Sequence, residues 1–375
     1  MALTHRHVAS GFEAVAERFE AGVREGDEAQ LAIRVGGELV VDLAVGLDPD
    51  ALMTVYSSSK GVAAFVLALL VDRGELELDE RVATYWPEFA AAGKQDVTVR
   101  QLLSHQAGLP ETDAGIPADA YTDDHRAAEL LAAQRPFWRP GAAFGYHAAT
   151  IGSLMSELCF RVTGEPLQAV YEREVRQPAD ADAYLGLPED LEDHVVELLP
   201  MTDPTPAEAE AFRAALEAPR GPYGAHVFTL AVAEVFTSRN ARRFGHPAGG
   251  GVASARGLAA VYAWATGAGA DGGAVSGETL GSFAQAQVAG YDLVLDQPHR
   301  SHGIVFQKPT PVMPFGSHRA FGHDGAGGAM AFADPVGGIS LGYTIRRTPF
   351  PGGMDRRLVG VVEELRRVTA ERSAR

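Results

Sequence analysis

Ser57-Ser58-Ser59-Lys60 runs through Gly61 into Val62-Ala63-Ala64-Phe65-Val66-Leu67-Ala68-Leu69-Leu70-Val71, and Arg73-Gly74 ends the run. The spacing predicts a helix that begins at the serines, with a hydroxyl and an amine one turn apart at its first turn. An apolar run of that length is too short to span a bilayer, which takes ~20 residues, so it reads as a helix buried on all sides in the core. A helix N-terminus carries free N–H groups and the positive end of the dipole, so the N–H of Ser57 is suited to a developing oxyanion while Lys60 handles a proton. The same pattern also fits a plain serine N-cap. The chain has only three lysines, Lys60, Lys94 and Lys308.

Composition bounds the class. With 375 residues, 46% hydrophobic and 22% charged, the chain is long enough to bury a large core and to form two interleaved subdomains. A formal net charge of -17 argues against nucleic-acid and anionic-membrane partners, whose surfaces would repel it. Met1 to His7 leads into Glu13, Glu17 and Glu20 without an apolar segment, so no signal peptide is expected. Cys159 is the single cysteine, which fits a reducing, cytoplasmic compartment.

Working outward from the serines, the pattern is helix, strand, strand on the N-terminal side. Phe12, Val15, Phe19 and Val23 recur at helical spacing up to Gly26. Leu31, Ile33 and Val35 then alternate, Gly36-Gly37 turns, and Leu39 to Val45 returns. The C-terminal end mirrors this with strands at His302 to Gln307, Ala329 to Phe332 and Ile339 to Ile345. A last helix carries Leu358, Val361, Val362, Leu365 and Val368 on one face, with Asp355 in its first turn. The middle reads as helical. Thr98-Val99-Arg100-Gln101 is a capping box for a helix over 99–106, Ile151 to Val162 is amphipathic and closed by Gly164, and Ser254 caps Ala255 to Thr266. Cys159 falls on the buried face of its helix, as a packed thiol. The expected fold class is α+β, an antiparallel sheet from residues 1–56 and 251–375 with terminal helices. Residues 57–250 form a mostly helical insert, and the site lies at the seam.

Three further segments give the serine and lysine company: Val99-Arg100-Gln101-Leu102-Leu103-Ser104-His105-Gln106-Ala107-Gly108-Leu109, Pro140-Gly141-Ala142-Ala143-Phe144-Gly145-Tyr146-His147, and Phe321-Gly322-His323-Asp324-Gly325-Ala326-Gly327-Gly328. Taken in order, from roughly Gly11 to Arg346, they resemble the serine β-lactamase and penicillin-binding-protein superfamily, and within it the β-lactamase-like esterases of the family VIII type. The resemblance implies Ser57 as acylated nucleophile, Lys60 as motif lysine and Tyr146 as the tyrosine of a Tyr-x-Asn motif acting as general base. It places His323-Asp324-Gly325 where the superfamily has Lys-Thr-Gly, and makes the N–H of Ala326 the second oxyanion donor beside that of Ser57. Serine needs a neighbouring base, and a tyrosine serves if cationic Lys60 favours its phenolate. His323 is read as a loop residue that bonds substrate, Tyr146 or backbone.

Two departures bear on substrate. Ala148 stands where the motif has asparagine, removing a hydrogen bond to an amide. Asp324 stands where a hydroxyl would hold a β-lactam carboxylate; facing the cleft, it disfavours anionic substrates, while the alternative is that it turns away and pairs with an arginine. The expected function is a serine hydrolase cleaving small carboxylic esters through an acyl-Ser57 intermediate. A β-lactamase, a D-amino-acid peptidase or an acyltransferase on the same scaffold, and a catalytically silent binding protein, are the alternatives.

No cofactor or metal is expected, because the 12 histidines show no ligand-like spacing. Gly338-Ile339-Ser340-Leu341-Gly342 matches the nucleophile-elbow pattern but lies inside an apolar strand with no helix after it. Gly249-Gly250-Gly251 reads as a tight turn beside the cleft, Ser104-His105 as neighbours that do not face each other, and Phe137 and Trp138 as either an acyl pocket or packing.

Overall fold

The computed structural model describes residues 3–217, 223, 230–267 and 274–373. Its strands in chain order are β1 Leu3–Val8, β2 Ala29–Val35, β3 Glu38–Val45, β4 Met53–Thr54, β5 Ala183–Tyr184, β6 Val252–Ala253, β7 Val288–Asp292, β8 Gln297–His302, β9 Phe321–Asp324, β10 Met330–Asp334 and β11 Ile339–Ile345. Six of them form one antiparallel sheet in the order β1-β3-β2-β11-β10-β9, so both chain ends supply it. Gly36 and Gly37, both at positive φ (58° and 85°), make the tight turn between β2 and β3, a backbone region that favours glycine.

The sheet is covered on both faces. Leu31, Ile33, Leu341 and Tyr343 pack against the terminal helices α1 (Glu13–Glu20) and, at the other end of the chain, Arg357–Ser373. On the opposite face Ala32 meets Ala255 and Ala259 of the helix Ala255–Thr266, and a Cβ at Gly342 would lie 2.1 Å from Ala255 O, so this contact is backbone-close. The apolar run beginning at the serines is α2 (Ser58–Asp72), buried at every position from Ser58 to Leu70. Each buried Leu, Val or Phe there contributes about 1.5–3 kcal/mol, which fixes α2 as the axis of the larger core. No helix among the described residues is long and apolar enough to cross a membrane.

Several expectations change. The chain opens strand, helix, strand, strand, because Leu3–Val8 pairs with β3; this segment is held by backbone ladder bonds and has no hydrophobic alternation to announce it. The strand expected over 302–307 ends at His302: Val305 has φ +64°, and Gln307 returns through isolated bridges to His302 and Gly322. The capped helix is shorter, Val99–Leu103, although the Thr98–Gln101 capping box is present, because His105 turns left-handed at φ +63°. Asp355 precedes its helix, where it accepts the N–H of Arg357.

Candidate active site

Strand β4 delivers the chain into a sharp turn at Tyr56, a non-glycine residue at φ +43°, and Ser57 caps α2. The turn is pinned on three sides. Val55 N–H donates to Gly251 O at 3.0 Å, Gly251 N–H to Ser59 Oγ at 3.0 Å, and Ser58 Oγ to His323 O at 3.1 Å. A Cβ on Gly325 would sit 2.2 Å from Val55 O, and one on Gly251 would sit 2.5 Å from Ser59 Oγ, so both glycines admit a close backbone approach. Ser58 and Ser59 are thus fixings, and of the three serines Ser57 borders the cleft.

Lys60 is fully buried one turn on. Its Nζ lies 2.9 Å from Ser57 Oγ, donates to Ala248 O at 2.8 Å and sits 5.0 Å from the centre of the Tyr146 ring. Burial holds the amine well below its ordinary value, with the charge of Asp324 opposing. Nζ donates to both Ser57 Oγ and Ala248 O, which holds the amine against the Ser57 hydroxyl within proton-transfer distance. The turn that presents Ala248 O is the one read at Gly249-Gly250-Gly251; Gly249 and Gly250 N–H groups both donate to His246 O.

Tyr146 arrives from the segment before the helix Thr150–Thr163. Its N–H donates to both Asp292 carboxylate oxygens at 3.1 Å, and its ring stacks on His302 with centroids 5.9 Å apart and planes at 18°. Burial drives the phenol far above its ordinary value, a hydrogen bond with Ser57 and the charge of Arg300 pull it down, and Asp324 and Asp292 push it up. Low dielectric disfavours both charged forms, so burial opposes the expected cation–phenolate pair and keeps the phenol protonated at rest.

His323 lies in β9, fully buried, and not in a loop. Its Nδ1–H donates to the Asp324 carbonyl at 2.7 Å, which leaves Nε2 as an acceptor 3.5 Å from Tyr146 Oη. Burial, then the charge of Lys60, hold this imidazole well below its ordinary value and hence neutral. Asp324 borders the cleft, and no arginine among the described residues pairs with it. Gln307 Nε2 donates to its Oδ1 at 2.9 Å and Met354 N–H to its Oδ2 at 2.9 Å, so the carboxylate ties the segment after β11 to the edge strand. Ala326 and Ser57 border the same cavity, and among the described residues neither N–H donates a hydrogen bond.

Sequence reasoning missed Asp292, His302 and Arg300, which reach Tyr146 from the β7–β8 hairpin, and His105, whose ring lies 5.2 Å from that of Tyr146. No spacing links a hairpin near residue 300 to a tyrosine at 146, so the sequence offered no signal for them. Ser340 is buried inside β11, and its hydroxyl has no hydrogen-bond partner among the described residues, so it has neither a base beside it nor access to the cleft. Ser104 Oγ donates to Arg100 O, away from His105, and Trp138 packs edge-on against His147. Among the described residues no group of three or more His, Cys, Asp or Glu is placed to hold a metal ion.

The family model described as Beta-lactamase matches residues 15–364. The esterase/beta-lactamase LipL of Mycobacterium tuberculosis is 32% identical over 363 residues, covering 91% of this chain and 82% of that protein. Among solved structures, EstA from Arthrobacter nitroguajacolicus Rue61a is 39% identical with a TM-score of 0.87, covering 98% of this chain and 99% of that one. A family VIII carboxylesterase is 31% identical with a TM-score of 0.85, covering 98% and 100%.

Proposed function

The chain belongs to the beta-lactamase family, and we propose that within it the protein is a serine hydrolase of small carboxylic esters, working through an acyl-Ser57 intermediate. The observation that carries this reading is the 2.9 Å contact of Ser57 Oγ with a fully buried amine whose pKa burial lowers. Ser57 Oγ attacks the ester carbonyl as its proton passes to Lys60 Nζ, and the oxyanion forms against the N–H groups of Ser57 and Ala326. Collapse expels the alcohol, which takes a proton from Tyr146 as Lys60 returns one to the phenol. Water then enters by the reverse relay and frees the acid. His323 Nε2 keeps the Tyr146 hydroxyl oriented.

Ester over amide is supported by Ala148 at the edge of the cleft, where no side-chain donor meets an amide, and by the Asp324 carboxylate at the cleft, hydrogen-bonded by Gln307 and Met354 N–H and paired with no arginine among the described residues, which discourages a β-lactam carboxylate. The domain plan we infer is 1–56 with 251–375 against 57–250: Ser57, Lys60 and Tyr146 come from the helical part, His323 and Ala326 from the sheet part. The single buried Cys159 suits a cytoplasmic setting. Intact-mass measurement after fluorophosphonate treatment tests the reading. A mass shift lost in Ser57→Ala and kept in Ser340→Ala supports it, and no shift in the parent protein refutes it. Steady-state rates on an aryl acetate and a chromogenic cephalosporin test the substrate class, and preference for the cephalosporin overturns the ester assignment.

A further inference from the structure

The cavity bordered by Ser57, Tyr146 and Ala326 has a volume of about 1200 Å³. Pockets for small molecules run to roughly 300–1,000 Å³, so a short-chain ester leaves most of this one unfilled. Its wall includes the apolar side chains Met201, Val312, Met313, Pro314, Phe350 and Met354, interspersed with charged ones such as Arg347 and Arg356. Six large hydrophobic side chains are exposed among the described residues. Two of them, Met201 (43%) and Val312 (53%), line this limb, and a third, Phe212, packs edge-to-face on Phe350 with centroids 5.3 Å apart. Exposed apolar surface gathered on one rim of a cleft marks a surface that something covers in use. The limb is continuous with the nucleophile, and unbranched methionines adapt to a flexible chain.

We propose that this limb binds an extended apolar arm of the substrate, so that esters with a chain of several methylenes are the preferred class over acetates. The proposal rests on the ester reading above and names the substrate class of the same site. Arg300 and Asp324 border the same cavity as Arg24 and Glu208, and the cavity is continuous from Ser57 to Met201 and Val312, so an arm of a substrate held at Ser57 reaches the apolar residues without leaving it.

The test is kcat/KM for p-nitrophenyl esters from acetate to decanoate, below micelle-forming concentrations, with a parallel series of alkyl acetates to tell an acyl arm from an alcohol arm. Burying a methylene is worth about two- to fourfold in kcat/KM, so a rise of at least tenfold from four to eight carbons is expected in one series. Met201→Asp with Val312→Asp, both at exposed positions and checked by thermal melt, should lower the octanoate-to-acetate ratio at least fivefold. Rates that fall beyond butanoate in both series overturn the proposal while leaving the ester reading intact. So does a dimer that the double variant abolishes without changing the chain-length profile. Hydrolysis of no ester in either series overturns both.

Discussion

Replacing Lys60 by methionine separates the role of the amine from its packing. The side chain is fully buried and Met is close to it in length and volume, so no cavity opens. Ala248 O loses its donor, a cost of about 1–3 kcal/mol, against which stands the relief of no longer burying an amine. The net change in stability should stay within ~2 kcal/mol, a shift of a few degrees in Tm for a chain of this size. Loss of a general base costs ~10²–10⁴-fold, so acylation of Ser57, followed by burst kinetics with p-nitrophenyl acetate and by fluorophosphonate mass shift, should slow by at least ~100-fold. Lys60→Arg should be equally inactive, because a guanidinium keeps its charge and offers no lone pair. The pH dependence follows from the depressed amine. Wild-type acylation falls as pH drops through the folded-state pKa, and the protein's stability rises with pH between that value and the unfolded ~10.4, since there the unfolded chain binds the extra proton. Both slopes should vanish in Lys60→Met. Acylation within tenfold of wild type in a folded Lys60→Met protein refutes the base assignment, and retained activity in Lys60→Arg would show that a cation is what matters.

Tyr146→Phe keeps the ring stacked on His302 and removes only the hydroxyl; turnover should drop at least ~100-fold with Tm nearly unchanged, and near-normal kcat takes the phenol out of the mechanism. Burial lowers His147 to about 4 and His246 to about 3, so both are neutral in the fold and take up protons on unfolding below pH ~6.5. Stability is full above that pH and is lost as pH falls toward the folded values, by ~3 kcal/mol from His147 alone at pH 4. Urea midpoints should therefore decline steadily from pH 7 to 4.5, and a flat profile contradicts the buried neutral imidazoles. Gly325→Ala forces a Cβ to within 2.2 Å of Val55 O and must displace the nucleophile turn. A tenfold or greater loss of kcat with a lowered Tm is expected, and wild-type kinetics would show that the two backbones are not in contact.

The contact of Ser57 with Lys60 and the long buried helix were legible because their relation is local: three residues of spacing in a helix put Ser57 and Lys60 together wherever the helix goes. The Gly36-Gly37 hairpin, the Thr98–Gln101 capping box and the strand at Ile339–Ile345 were readable for the same reason, since turn chemistry and periodicity act within a few residues. Strand β1 was not, because a polar edge strand is held by backbone bonds to β3 that leave no mark in its side chains. The anchoring of Tyr146 by Asp292 and His302 joins segments about 150 residues apart and exists only once the β7–β8 hairpin has folded against the helical part. The protonation states belong to the tertiary structure as well. The motif order suggests a cationic Lys60 favouring a Tyr146 phenolate, whereas the packing that buries both makes charge separation costly, lowering the pKa of the amine and raising that of the phenol.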